Sequence, residues 1–234
     1  MTISVIVPAY NAQNTIQLTL SALSNQDYQD KFEIIVVDDG SVDKTAQIIQ
    51  SFDKVKYVHQ VNAGPAAARN RGAKEAQGQI FAFTDSDCVP HKNWLSQLVK
   101  GFKDSSIGVV MGSYGIANPQ YPLAYCVHQE IIFRHEKLLS DFPKVFGSYN
   151  FCVRKTVFEL VGGFDVSFRR ASGEDNDLSY KINAAGLKIY FERKALVDHY
   201  HPTQIRKYLR EQFHRGYWRV MMYFNHPKMV AGDG

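Results

Sequence analysis

Residues 79–88 read QIFAFTDSDC, an apolar run that ends in the two carboxylates Asp85 and Asp87. The segment from Gln79 to Thr84 has the character of a buried strand, so both carboxylates are expected where that strand stops. At the end of a strand in an α/β enzyme, two short carboxylates can hold a hard divalent cation against phosphate oxygens. An isolated Asp-x-Asp also fits a solvated loop, but three companion segments favour the metal site.

Two of these companion segments are earlier strand-like runs that also end in polar residues. Ile3 to Val7 is a β-branched run followed by Tyr10 and a helical pattern, and Phe32 to Val37 is a second run that ends in Asp38 and Asp39. Ligands of an open parallel sheet gather outside the carboxyl ends of its strands, so Tyr10 and Asp39 are expected beside the first carboxylate pair. A capping or turn role stays open for both aspartates, because Asp favours both positions.

The third companion segment is an acidic cluster at the start of a later helix. Glu174, Asp175 and Asp177 open a helix that is predicted to run to about Ala185 and to end at Gly186. The helix dipole favours ionised carboxylates in a first turn, so a capping role is one interpretation. The same dipole predicts that Asp175 is ionised. Three acids within four residues exceed what capping requires, which indicates a site.

These segments resemble the family 2 glycosyltransferases of the A-type fold over residues 3 to 202. The implied fold class is α/β, with a mostly parallel central sheet flanked by helices and a C-terminal amphipathic helix. The implied catalytic domain covers residues 1–202, with a nucleotide-sugar-binding half (1–112) and an acceptor-binding half (113–202), and a basic helical segment follows at 203–234. The matching stretches are VPAYNAQNTI, VVDDGSVDKT, NAGPAAARNRGAKEAQG, FTDSDC, FGSYNFCVRKTVFELVGGFD, GEDNDLSYKINAAGLKIYF and HYHP.

The resemblance implies a role for each matching residue of the donor site. Tyr10 would stack on the nucleobase, Asp39 would accept its imino hydrogen, and Arg69 would lie beside the base and the diphosphate. Arg69 lies in a helix that Pro65 is expected to open and Gly78 to close. The implied donor is a nucleotide diphosphate sugar, with UDP expected first, although guanine also offers an imino hydrogen. The substrate-binding set is Pro8, Ala9, Tyr10, Asn11, Asp39, Asn62, Arg69, Asp85, Ser86, Ser148, Asn150 and Arg215.

The resemblance also implies a divalent cation, Mn²⁺ or Mg²⁺. Its implied ligands are Asp85, Asp87, His199 and His201, with Asp85 also reaching the ribose. A single residue separates the two histidines, so on a strand they point to the same face. Either one is also a candidate hydrogen-bond donor to the diphosphate, and a structural role for one of them stays open.

The implied reaction is an inverting sugar transfer to a hydroxyl group. Asp175 matches the general base, and Glu174 would orient that base or the acceptor. The cation would act as a Lewis acid on the departing nucleoside diphosphate. Processive members carry Gln-x-x-Arg-Trp, whereas this chain has Gln212 and Arg215 followed by Gly216. This departure favours transfer of one or a few sugars to a glycan or lipid-linked acceptor.

The composition limits the function classes. With 45% hydrophobic residues, the 234-residue chain has ample material for the core of one α/β domain. A net charge of +4 is too small for a broad nucleic-acid-binding surface, so no nucleic-acid partner is expected. Three cysteines and the lack of a signal peptide fit a reducing cytosol. No apolar run has the roughly 18 residues that a bilayer span needs.

The predicted C-terminal helix, Thr203 to Phe224, mixes Arg and Lys with aromatic and aliphatic residues. Such a helix either packs on the domain with a solvated basic side or lies on an anionic membrane surface. The second interpretation predicts peripheral membrane contact through 203–224, in the cytoplasm at the inner face of a membrane. Relatives with this ending often continue into transmembrane helices, so the resemblance implies such a continuation.

Two other function classes stay open. A nucleotidyltransferase acting on sugar phosphates also uses carboxylate-bound metal after a first strand, but it normally has a Gly-rich loop with Arg and Lys there. In this chain the corresponding loop reads PAYNAQNT and contains none of these residues. The second alternative is a catalytically idle module that binds a sugar nucleotide, although this chain has every acid that the transferase resemblance requires.

Overall fold

The computed structural model describes residues 1–168 and 173–225. The strands are β1 (Ile3–Ala9), β2 (Phe32–Asp39), β3 (Val55–Gln60), β4 (Ile80–Thr84), β5 (Cys88–Pro90), β6 (Ile107–Ile116), β7 (Asn150–Arg154) and β8 (Lys188–His199). The helices are α1 (Ile16–Ser24), α2 (Thr45–Gln50), α3 (Pro65–Glu75), α4 (Trp94–Lys100), α5 (Pro122–Phe133), α6 (Lys155–Leu160), α7 (Glu174–Ala184) and α8 (Ile205–Asn225). A π-helical turn, Arg134–Leu138, continues α5.

The strands form one sheet in the order β3-β2-β1-β4-β7-β6-β8-β5. Strands β3, β2, β1 and β4 are parallel to one another, and β8 is parallel to β6. Strand β7 runs antiparallel to β4 and β6, and β5 runs antiparallel to β8. The predicted α/β fold with a mostly parallel central sheet is therefore confirmed, and its antiparallel pairs lie in the second half of the sheet.

Helices cover both faces of the sheet, which explains the continuous apolar runs in its central strands. All seven residues of β1 are buried. Because successive side chains alternate between faces, Val5 and Val7 pack with Leu20 of α1, whereas Ile6 packs with Ala66 of α3 on the opposite face. Each buried aliphatic side chain of this size contributes about 1.5–3 kcal/mol to folding.

Helix α3 starts where the sequence predicts and stops earlier than predicted. Pro65 occupies the first turn, as expected. The helix ends at Glu75, so the expectation that Gly78 closes it is wrong. Gly78 instead lies against β1, where its N–H donates to Ser4 Oγ at 2.8 Å. A Cβ on Gly78 would lie 2.5 Å from the Ser4 nitrogen, so this close approach requires glycine.

The C-terminal helix α8 covers most of the predicted segment 203–224, and residues 226–234 lie outside the described part of the chain. Within the described residues, none of the helices is both long and apolar enough to cross a membrane.

Candidate functional site

The carboxyl ends of three strands meet at one rim of the sheet. In the parallel register, Ala9 of β1 lies beside Asp38 of β2, and Ile6 lies beside Phe83 of β4. The residues that follow these positions therefore emerge together. The structure thus brings Tyr10, Asp39 and the Asp85–Asp87 pair to the same rim, as the sequence predicts.

The Asp39 carboxylate is held by the segment that follows β3. Its Oδ1 accepts hydrogen bonds from Gln60 Nε2 at 2.6 Å and from the Ala63 N–H at 2.9 Å, and its Oδ2 accepts from the Gly64 N–H at 2.9 Å. Asn62 Nδ2 donates to the Asp39 carbonyl oxygen at 2.9 Å. The Asn62 side chain therefore contacts the backbone of Asp39, and its contact with substrate stays a prediction.

Hydrogen bonds join the loop after β1 to the loop after β2. Asn11 has φ of +50°, a left-handed conformation that Asn tolerates better than most residues. Its N–H donates to Ser41 Oγ and its Oδ1 accepts from the Val42 N–H, both at 2.9 Å. Pro8 and Ala9 are buried in β1, whereas the Tyr10 side chain is 54% exposed. The Tyr10 ring is thus accessible at the rim, and its stacking on a base stays a prediction.

Asp38 has the turn role that the sequence left open. Its Oδ1 accepts from the Ser41 N–H at 3.0 Å, and its Oδ2 accepts from the Tyr57 hydroxyl at 2.9 Å. Burial and this hydrogen bond raise the pKa of Tyr57 to about 12, so the hydroxyl remains a donor.

Arg69 joins the two halves of the predicted catalytic domain. The side chain is buried, with one guanidinium nitrogen 2.7 Å from Asp85 Oδ1 and the other 3.0 Å from Glu174 Oε1. This guanidinium therefore lies between two carboxylates, and its predicted position beside the base and diphosphate stays a prediction. Its charge offsets part of the repulsion that two adjacent acids would otherwise have.

Asp87, Cys88 and His199 form a cluster of candidate metal ligands. One ligand atom from each lies within 4.8 Å of the other two, and Asp87 Oδ2 is 3.6 Å from His199 Nε2. Loss of hydration raises the pKa of Asp87. The charge of Asp85 adds to this rise, whereas His199 opposes it. A bound cation would reverse that rise.

The donor set fits an oxygen-seeking divalent cation that also accepts imidazole. Burial raises the pKa of Cys88 well above its ordinary value, and the charges of Asp87 and Asp85 add to this, so the residue stays a thiol. A thiol is a poor ligand compared with a thiolate. The ligands of this cluster that remain are the Asp87 carboxylate, which suits Mn²⁺ or Mg²⁺, and the imidazole of His199, whereas metal binding by Asp85 stays a prediction.

His201 lies just beyond the end of β8 and is buried. Its backbone forms two hydrogen bonds with the Asn118 side chain, at 2.8 and 3.0 Å. The ring centroids of His199 and His201 are 5.0 Å apart. Burial, with the neighbouring His199 and His128, lowers the pKa of His201 to about 3, so it is a neutral imidazole. Metal binding by His201 stays a prediction.

Glu174 and Asp175 lie at the start of α7 in different surroundings. Glu174 is buried and accepts hydrogen bonds from Arg69 and, at 3.4 Å, from the Ser148 hydroxyl. Burial and the charge of Asp175 raise the pKa of Glu174 to about 7, against the opposing effect of Arg69. Burial also raises the pKa of Asp175, which is opposite to the direction that the dipole argument predicts. A raised pKa makes Asp175 a stronger base than an ordinary aspartate.

Three other predicted residues have distinct surroundings. Asn150 is fully buried: its Oδ1 accepts from Trp94 Nε1 at 2.7 Å, and its Nδ2 donates to two backbone carbonyls. The predicted place of the Asn150 side chain in the substrate-binding set is therefore wrong, because it is fully buried and both of its amide hydrogens are used inside the protein. Ser86 is half-buried beside Asp87, and Arg215 on α8 is exposed. Arg215 also contributes to the lowered pKa of His201, which places its charge near the histidines.

Gln60 is a residue beside Asp39 that the sequence does not single out. It ends β3, where it pairs in register with Asp39. In the run VKYVHQ at 55–60 only Val58 is buried and the other five positions are half-buried or exposed, which is a weak strand signal. Its position just before Asn62 could have placed it at the rim.

The family model described as "Glycosyl transferase family 2" matches residues 4–159. The chain belongs to this family. Glycosyltransferase AglE of Haloferax volcanii is 30% identical over 228 residues, a match that covers 94% of this chain and 74% of the relative. The chain spans 49% to 62% of the length of several other curated relatives that it matches.

Solved structures support the same fold. The mannosyltransferase PcManGT from Pyrobaculum calidifontis, solved with GDP-Man and Mn²⁺, has a TM-score of 0.69 at 24% identity over 87% of this chain and 58% of its own. S. aureus TarS, residues 1–349 with UDP-GlcNAc, has a TM-score of 0.67 at 22% identity over 87% of this chain and 60% of its own. This family 2 enzyme is thus a glycosyltransferase with an A-type fold.

Proposed function

We propose that this enzyme is an inverting transferase that moves one sugar from a nucleotide diphosphate sugar to a hydroxyl group. The observation that carries the proposal is the buried Arg69 bridge, which joins Asp85, at the rim that also holds Asp39, to Glu174, the residue before Asp175. This bridge supports a cation site and a general base that share one structural support, with a base site at the same rim.

The proposed chemical step uses Asp175 as the base. Its carboxylate takes the proton from the acceptor hydroxyl as that oxygen forms a bond to the anomeric carbon. The bond from this carbon to the diphosphate oxygen breaks on the opposite face, and the nucleoside diphosphate leaves with the electron pair. Attack from the opposite face inverts the configuration. General base catalysis of this kind contributes roughly 10² to 10⁴ in rate.

Glu174 is proposed to position the network. Its carboxyl group contacts Arg69 and the Ser148 hydroxyl, and it precedes Asp175 in the first turn of α7. Arg69 in turn contacts Asp85, so movement of the cation site and of the base is restrained by the same side chain. Such support keeps reacting groups within the narrow range of geometry that transfer needs.

The cation is proposed to be held by Asp85, Asp87 and His199. When bound, it would neutralise the charge that develops on the leaving diphosphate. The mixed carboxylate and imidazole donors favour Mn²⁺ over Mg²⁺, because Mg²⁺ is bound in proteins almost entirely through oxygen. The Mn²⁺ in PcManGT, which shares the fold, is consistent with this choice.

The acceptor is proposed to be a glycan or a lipid-linked sugar presented at a membrane. Helix α8 holds five of the 27 basic residues of the chain and one of its 23 acidic residues, so the rest of the chain holds 22 of each. The whole net charge of +4 therefore resides in α8. Its exposed apolar side chains, each between 53% and 77% exposed, are Ile205, Leu209, Phe213, Val220 and Phe224.

These five positions lie on one side of α8, since their spacings of four and seven residues follow the helical repeat. An apolar side flanked by cations matches the headgroup region of an anionic bilayer. This combination supports peripheral membrane contact through 203–224.

Incubation with radiolabelled sugar nucleotides and Mn²⁺ tests the proposed function against the alternatives. A transferase releases nucleoside diphosphate when an acceptor is present. A nucleotidyltransferase acting on sugar phosphates releases pyrophosphate, and an idle binding module releases neither. The product's anomeric configuration, determined by NMR, tests inversion, and retention would contradict the proposed mechanism.

A further inference from the structure

The Asp39 carboxylate has most of its hydrogen-bonding capacity occupied by the protein. A carboxylate offers about four lone-pair positions. Gln60 Nε2 and the Ala63 N–H occupy the two on Oδ1, and the Gly64 N–H occupies one on Oδ2. One accepting position therefore remains, and it is on Oδ2. Asp39 is thus prepared to accept a single N–H from a ligand.

Gln60 presents a donor beside this remaining acceptor. It lies at the end of β3, in register with Asp39, and is half-buried at the rim. Only the NH₂ group of its amide can face the carboxylate, because the amide oxygen has no hydrogen to donate. One N–H donates to Asp39. Among the hydrogen bonds of the described residues, the second N–H of this group has no acceptor, so it is available to a ligand.

We propose that Gln60 is a specificity-determining residue of the donor site, which together with Asp39 selects the base of the nucleotide. The inference rests on the proposed function and names its substrate class. Asp39 accepts the imino N–H of the base, and Gln60 donates its second N–H to the adjacent base carbonyl. Uracil and guanine both present this pair of groups, an imino N–H next to a carbonyl oxygen.

Cytosine and adenine present the opposite pattern. Each has an unprotonated ring nitrogen where uracil and guanine have the imino N–H, and an exocyclic amine where they have the carbonyl. A lone pair would then face Asp39, and an amine would face the Gln60 N–H. Buried polar groups left unpaired in this way discriminate strongly between ligands. The site therefore takes uridine or guanosine diphosphate sugars and rejects those of cytidine and adenosine.

Calorimetric titration with three probes, UDP, CDP and ribose 5-diphosphate, tests this inference in the presence of Mn²⁺. Native protein should bind UDP in preference to CDP. Gln60→Leu keeps the approximate size but removes both donors, and UDP affinity should fall about tenfold, with ribose 5-diphosphate affinity unchanged. Gln60→Glu replaces the donor by an acceptor, so the ratio of UDP to CDP affinity should fall further. Gln50→Glu, at an exposed position in the same half of the chain, should leave all three affinities unchanged.

Three results would overturn the inference. If both Gln60 variants kept the ratio of UDP to CDP affinity that the native protein has, this side chain would not contact the base. An equal loss for all three probes would show that Gln60 only supports the loop. Failure of the native protein to bind any probe would reject the proposed donor site itself. This outcome differs from failure of the Gln60 inference because it is seen without any variant.

Discussion

Arg69 Nη1 lies 3.0 Å from Glu174 Oε1, a contact between residues that are 105 positions apart in the sequence. The other terminal nitrogen of the same guanidinium lies 2.7 Å from Asp85. Both the arginine and the glutamate side chains are only 2% exposed. This buried bridge joins the strand end that carries the candidate cation ligands to the helix that carries the candidate base. The two functions therefore share one structural support.

Substitution of Arg69 should cost both stability and activity. Arg69→Met leaves Asp85 and Glu174 without their shared counter-charge, and breaking a buried ion pair in this way costs about 3–5 kcal/mol. Chemical denaturation should show that loss of stability, and sugar transfer should fall at temperatures where the variant is still folded. Arg71→Met is the matched control, because its ion pair with Glu75 is half exposed and should cost less than about 1 kcal/mol. Equal effects of the two changes would contradict the bridging role.

The first half of the fold could be predicted from the sequence because its strands are buried on both faces. Continuous apolar runs such as Ile3–Val7 and Phe32–Val37 carry an unambiguous signal, and the polar residues after them fall at the sheet rim. Strand β3 has no such run, since three of its six residues are half-buried and two exposed. Gln60 was therefore missed along with the strand that holds it.

Contacts between distant segments explain what the sequence does not show. No local pattern shows that Arg69 would point into the protein towards Glu174, because that depends on how α7 packs beside the sheet. Asn150 was predicted to bind substrate because it lies in a stretch that matches the family. Its amide instead forms hydrogen bonds with β6, β8 and Trp94. The pKa of Asp175 was predicted from the helix dipole alone, and burial has the larger effect.

Glu174 should make folding stability depend on pH in a specific direction. Its pKa in the folded protein is about 7, above the ordinary value of 4.5. The folded state therefore binds the proton more tightly than the unfolded state, and this contribution to stability is full below pH 4.5 and is lost as the pH rises through 7. Glu174→Gln should flatten that decline in Tm, whereas the exposed-site control Glu159→Gln should follow the native curve. A decline in Glu174→Gln as steep as in the native protein would assign the effect to another group.

Removal of the proposed cation ligand should abolish the effect of metal on nucleotide binding. Native protein should bind UDP more tightly with Mn²⁺ than with EDTA, because the ion links Asp87 to the diphosphate. Asp87→Ala should bind with the same, weaker affinity in both conditions and should stay folded, since its carboxylate is 43% exposed. Calorimetry measures both affinities, with the exposed residue Asp53→Ala as control. Metal-independent binding by the native protein would show that this assignment is wrong.

Asp175 should control the rate of transfer and its dependence on pH. Asp175→Asn keeps the shape of the side chain but removes the base, so transfer should fall by roughly 10² to 10⁴. Donor affinity should change little, because the residue acts on the acceptor. The raised pKa of Asp175 predicts that native turnover increases with pH through a range above that of an ordinary aspartate, and that the variant lacks this increase. Glu174→Gln should reduce the rate less. Turnover of Asp175→Asn within threefold of native would identify another base.

Helix α8 should carry the protein to anionic membranes. Liposomes of phosphatidylcholine with phosphatidylglycerol should sediment more of the protein at physiological salt than liposomes of phosphatidylcholine alone. Arg206→Gln with Arg210→Gln removes two charges from the helix, each of which contributes about 1 kcal/mol near an anionic leaflet. The partition coefficient should then fall by roughly thirtyfold, as about 2 kcal/mol requires.

The apolar side of α8 is tested separately, because charge alone could hold the protein at the surface. Leu209→Ser with Phe213→Ser replaces two side chains that are 59% and 75% exposed, so the fold should be retained. Binding to anionic liposomes should fall and should become more sensitive to salt, since only the electrostatic part remains. Leu18→Ser on α1, where the native residue is 49% exposed, is the control and should bind as the native protein does. Equal, negligible sedimentation of native protein with both kinds of liposome would contradict membrane binding through α8.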